Sequence, residues 1–279
     1  MTCNRGATSA EVDKVIGERR RREIVERVQR FGYVEARKLA KDLRVDVSTI
    51  RRDLDALGRT GLVQRTHGGA LAMGGATLDV PYEAKRLEHL VQKRAIAAYA
   101  AGLVKDGDSI VLDSGSTTYA LAEALRAHSQ LTIATNDIRI AHYFAGRGGA
   151  RLLVCGGQLI DSVFTLVGPA TLSFLAGLHL NWAFLGADAI DPVGGVSNFN
   201  TVEVPVKQAM IEAADRAVLL ADSSKFGRRA LAAVVGVDAF EMILTDEGLD
   251  PADRQSYGPR LVCVPPLPAS RRKREAVGP

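Results

Sequence analysis

Arg51 and Arg52 stand side by side in the string Thr49-Ile50-Arg51-Arg52-Asp53-Leu54. A guanidinium offers a planar fork of donors that matches the edge of guanine or a pair of phosphate oxygens. Ser48 and Thr49 add hydroxyls suited to phosphates or base edges. At helical spacing Ile50 and Leu54 form a buried anchor, and Ser48, Thr49, Arg51 and Arg52 alternate around it. Such a helix enters a DNA groove with its polar side. The competing reading is a solvated face whose arginines pair with Asp53 or Asp55.

A second set of residues suits anions. Asp113-Ser114-Gly115-Ser116-Thr117-Thr118, Thr135-Asn136, Gly156-Gly157, Gly186-Ala187-Asp188 and Asp222-Ser223-Ser224-Lys225 each follow a short apolar run. Small residues let backbone amides approach an anion, and a helix opening there adds favourable potential. Lys225, and Lys207 on a helix after Glu203, add point charges. Any one such loop is also what a tight strand-to-helix turn requires. Several on one sheet edge point to a ligand pocket, with Asp113 to Thr118, Thr135, Asn136, Gly156, Gly157, Asp188, Glu203, Lys207 and Lys225 as its candidates.

The elements that must carry these groups follow from periodicity. A helix is expected from near Glu18, on Ile24, Val28 and Phe31, stopping at Gly32. A second spans Val34 to Leu43, and a third follows Asp46, an N-cap, and runs to about Leu57 before Gly58 and Gly61. Leu62 to Arg65, a turn at Thr66-His67-Gly68-Gly69 and Ala70 to Ala72 read as a wing. Arg65 and His67 there are expected to reach the flanking DNA backbone or minor groove. Beyond residue 91, apolar runs at Ser109–Leu112, Leu131–Ala134, Leu152–Cys155, Trp182–Leu185, Val218–Ala221, Met242–Leu244 and Leu261–Val264 alternate with helical stretches. That is the pattern of a buried, mostly parallel sheet. The expected layout is an N-terminal extension at 1–17, a winged helix-turn-helix at 18–72, a linker at 73–90 with a charged helical stretch from Glu83 towards Arg94, an effector domain at 91–265 and a basic tail at 266–279.

The 279 residues carry a net charge of only +4, but residues 1–75 hold 16 Lys and Arg against 10 Asp and Glu. A basic small unit beside an acidic large one suits a polyanionic partner. Cys3, Cys155 and Cys263 are far apart, which argues against disulfides and structural zinc. The five histidines show no metal-ligand spacing, so no metal or other cofactor is expected. Ser114 lies outside a GxSxG elbow, and no catalytic residue is assigned. No apolar run approaches the roughly 20 residues of a membrane span, and the start lacks a secretory core, so a cytoplasmic location is expected.

The strings Arg22-Glu23-Ile24-Val25, Thr49 to Leu57 and Gly61 to Ala70 resemble the DeoR family of bacterial regulators. One departure is Asp46 where the family usually has Ser: it caps equally well, but a carboxylate makes no phosphate contact. Leu112 to Thr118, Thr135-Asn136, Gly156-Gly157 and Asp222 to Gly227 resemble the family's effector domain in order. The resemblance covers about residues 18 to 265. It implies an α/β effector domain like ribose-5-phosphate isomerase, a phosphorylated-sugar effector and a homodimer or homotetramer on paired operator half-sites. The expected function is a repressor of a carbohydrate-utilisation operon that binds double-stranded operator DNA. An alternative is an isomerase with a DNA-binding appendage, since Gly186 to Asp191 resembles the isomerase acidic loop and Glu203 stands near its base. The isomerases place a lysine before the following glycines, whereas this chain has Pro192-Val193-Gly194-Gly195. A third reading is a winged helix used for protein contacts.

Overall fold

Ile24, Val28, Leu39, Ile50, Leu54 and Leu57 are brought together as the small amino-terminal core of the computed structural model, which describes residues 9–31, 33–60, 62–66, 68–72, 82–160 and 162–267. The core is built by α1 (Ser9–Phe31), α2 (Ala36–Asp42) and α3 (Val47–Arg59), with β1 (Tyr33–Glu35), β2 (Val63–Arg65) and β3 (Gly69–Ala72) forming an antiparallel sheet in the order β1-β3-β2. The register places Val34 and Arg65 on either side of Ala70.

Three expectations are corrected here. The first helix begins at Ser9 rather than near Glu18, so it enters the segment expected as an extension. The second begins at Ala36, because Tyr33-Val34-Glu35 pair with β3 and cover the wing's open edge instead. The third passes through Gly58 and closes at Thr60, whose hydroxyl donates to the Leu57 carbonyl at 2.9 Å. Gly32, Gly61, His67, residues 73–81, Cys3 and the basic tail Arg271 to Arg274 lie outside the described residues.

The chain then forms α4 (Tyr82–Leu87), α5 (Leu90–Ala101), β4 (Ser109–Leu112), α6 (Ser116–Ala124), β5 (Leu131–Thr135), α7 (Ile138–Phe144) and β6 (Ala150–Val154). Next come β7 (Gln158–Ile160), β8 (Thr165–Val167), α8 (Pro169–Ala176), β9 (Leu180–Leu185), β10 (Ala189–Asp191) and β11 (Gly195–Asn198). The last elements are α9 (Val204–Glu212), β12 (Ala214–Leu220), β13 (Ala232–Val235), β14 (Met242–Asp246), α10 (Pro251–Arg254) and β15 (Leu261–Val264).

All seven apolar runs enter one parallel sheet in the order β15-β14-β12-β9-β4-β5-β6. Successive residues point to opposite faces. Thus Ile110, Leu112 and Phe184 meet α5 and α6 residues such as Ile96 and Leu121 in one core layer. Val111, Ala183, Leu185 and Leu219 meet Leu175 of α8 and Met210 of α9 in the other. Burial on both faces is why these strands read as continuous apolar runs rather than alternating ones. The sequence reading did not resolve the β7–β8 hairpin or the small antiparallel sheet β10-β11-β13. Among the described residues no helix is long and apolar enough to cross a membrane.

Strand order reverses between β4 and β9: the chain winds from β4 out to β6 on one side, then from β9 out to β15 on the other. Loops at the carboxyl ends of strands flanking such a switch point diverge and leave a crevice.

Candidate functional site

On α3, Asp46 caps the helix by accepting from the Ser48 amide at 2.7 Å, and these hydrogen bonds hold its carboxyl below the ordinary range. Ile50, Leu54 and Leu57 are buried, while Ser48, Arg51 and Arg52 are exposed and Thr49 is half-buried. The acids that might have neutralised the arginines have other partners. Asp53 is buried and bound by Arg20 at 2.5 Å and Arg21 at 3.6 Å, both from α1. Asp55 is bound by Arg65 at 2.8 Å. Neither Arg51 nor Arg52 has an ion-pair partner among the described residues; Arg52 donates only to the Ser48 hydroxyl, at 3.3 Å. The outward face therefore keeps two available guanidinium groups on a helix fixed from behind.

Arg65 has partners within the chain. Besides Asp55, it donates to the carbonyls of Thr66 at 3.0 Å and Gly69 at 2.8 Å. Those bonds, made by Nε and Nη1, pin β2 to α3 and close the wing turn, so Arg65 also positions the wing. Gly69 is required where β3 crosses β1, because a Cβ there would overlap the Val34 carbonyl.

The larger unit has a cavity at the switch point between β4 and β9. It is lined by Ser114 to Thr118 after β4, Gly186 to Asp188 after β9, and Ala221, Asp222 and Lys225 after β12. Asn198, Glu203 and Lys207 close it from β11 and α9, and Tyr82, Lys85, Glu88, His89 and Lys93 cover it from α4 and α5. The first turn of α6 opens onto this space with no side-chain cap and no acidic residue. Its first amides therefore keep the donor capacity and positive potential of a helix amino terminus.

Charges around the cavity are arranged in pairs and exceptions. Lys207 and Asp113 form a buried ion pair; the Lys207 ammonium also donates to the Gly186 carbonyl at 3.0 Å, and the Asp113 carboxylate accepts from the Gly186 amide at 3.0 Å. These bonds staple the ends of β4 and β9 to α9. Burial opposes the Lys207 charge, but Asp113, Glu203 and Asp188 outweigh it and hold its pKa above the ordinary value. Lys85 reaches from α4 to Asp188 at 2.7 Å. Burial would raise the Asp188 carboxyl, yet Lys85 and the Phe199 amide pull it down to about 2. Lys93 donates to the carbonyls of Lys85 and Glu88, so it is held by α4 backbone rather than by a carboxylate. Among the described residues neither Lys93 nor Lys225 has a salt-bridged acid.

Of the residues expected to bind an effector, Ser114, Gly115, Ser116, Thr117, Thr118, Asp188, Glu203, Lys207 and Lys225 line this one space. The others do not line it. Asp113 is turned inward onto Lys207 and Gly186. The Thr135 hydroxyl donates to the Leu112 carbonyl at 2.8 Å, and the Asn136 amide to the Leu166 carbonyl at 3.3 Å. Gly156 and Gly157 lie beside α8, where the Thr171 hydroxyl donates to the Gly156 carbonyl at 2.5 Å. A Cβ on Gly157, at φ 136°, would collide with Thr171 and Val167. The sequence reading missed Tyr82, Lys85, His89, Lys93 and Asn198, and named Asp222 only within the Asp222 to Lys225 loop; the lysines were legible only as a charged helical stretch.

The model of the DeoR-like helix-turn-helix domain matches residues 20–74, and that of the DeoR C terminal sensor domain matches residues 88–247. The chain is 31% identical over 253 residues to the uncharacterized HTH-type transcriptional regulator YulB of Bacillus subtilis, covering 91% of this chain and 98% of that one. It is 33% identical over 223 residues to the glycerol-3-phosphate regulon repressor of Escherichia coli, covering 80% and 88%. Among solved structures, ribose 5 phosphate isomerase A from Neisseria gonorrhoeae covers 49% of this chain and 53% of its own at 18% identity, with a TM-score of 0.34.

Proposed function

Because the chain belongs to the DeoR family of transcriptional regulators, we propose that it is an operator-binding repressor released by a phosphorylated sugar or polyol bound at the β4–β9 switch point. The observation that carries the effector half is the uncapped amino terminus of α6, which lines one cavity together with Lys93 and Lys225. A phosphate monoester carries close to two negative charges at neutral pH and several acceptor oxygens, which those amides and ammonium groups complement. In this reading residues 18–72 grip DNA, residues 91–265 sense the ester, and two or four copies meet paired half-sites. The relatives' names include a repressor of a glycerol-3-phosphate regulon, which fits an effector of this class.

The same cavity supports binding without turnover. Aldose–ketose isomerisation needs a base beside a carbonyl and a cation at the developing enediolate. Lys207 is committed to Asp113 and Gly186, Asp188 to Lys85, and Asp191 to Arg229 at 2.8 Å. Pro192-Val193 stands before the glycines where the isomerases place a lysine.

Gel-shift titration with DNA from upstream of the protein's own operon tests the proposal. Arg51→Ala or Arg52→Ala weakens binding by about 1–3 kcal/mol if the side chain reads a base, and a sugar phosphate releases wild-type protein. Unchanged affinity in both variants removes the groove assignment. No release by any phosphate ester removes the effector.

A further inference from the structure

Asn198 is 3% exposed, lines the cavity, and donates its amide NH₂ to the Glu203 carboxylate at 2.9 Å. Its Oδ1 is buried without a hydrogen-bond partner among the described residues. A carboxylate oxygen only accepts, so the contact with Glu203 fixes which way the amide faces and directs Oδ1 away from that acid. A buried acceptor left unmade is costly, and the surrounding fold tolerates it where a ligand supplies the donor. Asn198 occupies the last position of β11 and pairs there with Ala232, which holds the amide in place on a sheet.

We infer that Asn198 is a specificity-determining residue that accepts a hydrogen bond from a hydroxyl on the effector's carbon chain. The inference rests on reading the cavity as an effector site and assigns its two ends. Phosphate oxygens of a dianion only accept. Asn198 Oδ1 and the Glu203 carboxylate bound to the same amide are acceptors too and offer them no donor, whereas the α6 amides with Lys93 and Lys225 do. A hydroxyl donates, so the polyol end of the ligand belongs at Asn198. The ligand class is a phosphate monoester with a hydroxylated chain; inorganic phosphate fills only the cationic end.

The test is calorimetric titration of the full-length protein with ribose 5-phosphate, glucose 6-phosphate, glycerol 3-phosphate and inorganic phosphate, followed by monodeoxy analogues of the tightest ester. Asn198→Leu, which keeps the approximate volume, is expected to weaken that ester at least tenfold and to leave inorganic phosphate within twofold of wild type. One monodeoxy analogue is expected to lose at least tenfold against wild type and nothing further against the variant. Asn198→Thr, which retains an acceptor of shorter reach, is expected to fall between. Equal losses for ester and inorganic phosphate overturn the assignment. So does a wild-type protein that binds every monodeoxy analogue within twofold of the parent, a result that needs no variant to fold. Wild type that binds no ester at all overturns the effector reading itself, whereas ester binding indifferent to Asn198 overturns this inference alone.

Discussion

Burying an ammonium strips it of water, and the two buried lysines of the sensor cavity answer that cost in opposite ways. Lys207 sits against Asp113 with Glu203 and Asp188 nearby, and stays charged. Lys93 is held by two backbone carbonyls; burial pulls its pKa down to about 8, with Lys225 and Lys85 adding to the fall and Asp222 and Glu88 opposing it. A lysine with a depressed pKa is cationic below about pH 8 and neutral above it. The second ionisation of a phosphate monoester lies near pH 6, so the ligand's charge is constant across the window in which Lys93 titrates. Affinity for a sugar phosphate is therefore expected to fall as pH rises from 7.5 to 9. Lys93→Arg, which keeps its charge throughout that window, is expected to flatten the profile. Calorimetry at several pH values checks this, and an equally steep profile in the variant would assign the titration to another group.

At the scale of elements, α4 touches both the cavity and the wing. Tyr82 anchors its start, donating its amide to the Ser162 carbonyl at 3.1 Å, and Lys85 and Lys93 tie its carboxyl end to the cavity. Leu87, on the same six residues, lies against the wing: a Cβ on Gly68 would come within 2.8 Å of Leu87 Cδ1 and 3.4 Å of the Tyr33 hydroxyl. An anion that draws on Lys85 or Lys93 competes with the bonds that hold α4, and the wing is the next thing α4 touches. Leu87→Ala is expected to bind effector as wild type does but to lose most of the effector-induced drop in operator affinity. The check is a gel shift with and without saturating ester; full release in the variant would remove α4 from the path. None of this was legible from spacing. The seven sheet strands were, because burial on both faces writes an apolar run that the chain itself displays. So was α3, whose stripe of Ile50, Leu54 and Leu57 has helical period. A charged helical stretch is legible from Glu83 towards Arg94, but its spacing shows neither that α4 stops at Leu87 nor what it touches. Asn198 was hidden for a related reason, since a polar residue in a four-residue strand looks solvent-facing until a second layer covers it. The hold of Arg65 on the wing was not legible either, because its partner Asp55 belongs to another element.

The whole molecule separates its charge as it separates its tasks. In the proposed function the basic residues 1–75 meet a polyanion, with an affinity that falls steeply with salt, while the cavity takes one small anion. Two anionic ligands on one chain repel only weakly beyond a Debye length, about 8 Å at physiological ionic strength. In the proposed function their antagonism then comes from a conformational equilibrium that each ligand biases, with DNA favouring one arrangement of α4 and wing and the ester favouring the other. Such coupling is reciprocal: if the ester weakens operator binding by some factor, saturating operator weakens ester binding by the same factor. Factors of about 5–150 are usual for couplings of this kind. Titrating the ester into protein alone and into protein saturated with operator duplex, at one salt concentration and one protein concentration, measures the second factor. Gel shifts measure the first. Equal factors are expected. Unequal ones would mean that the two titrations do not connect the same four states, with subunit association entering one of them, and the two-arrangement account of release would have to be replaced by one in which the ester changes the number of copies on the operator.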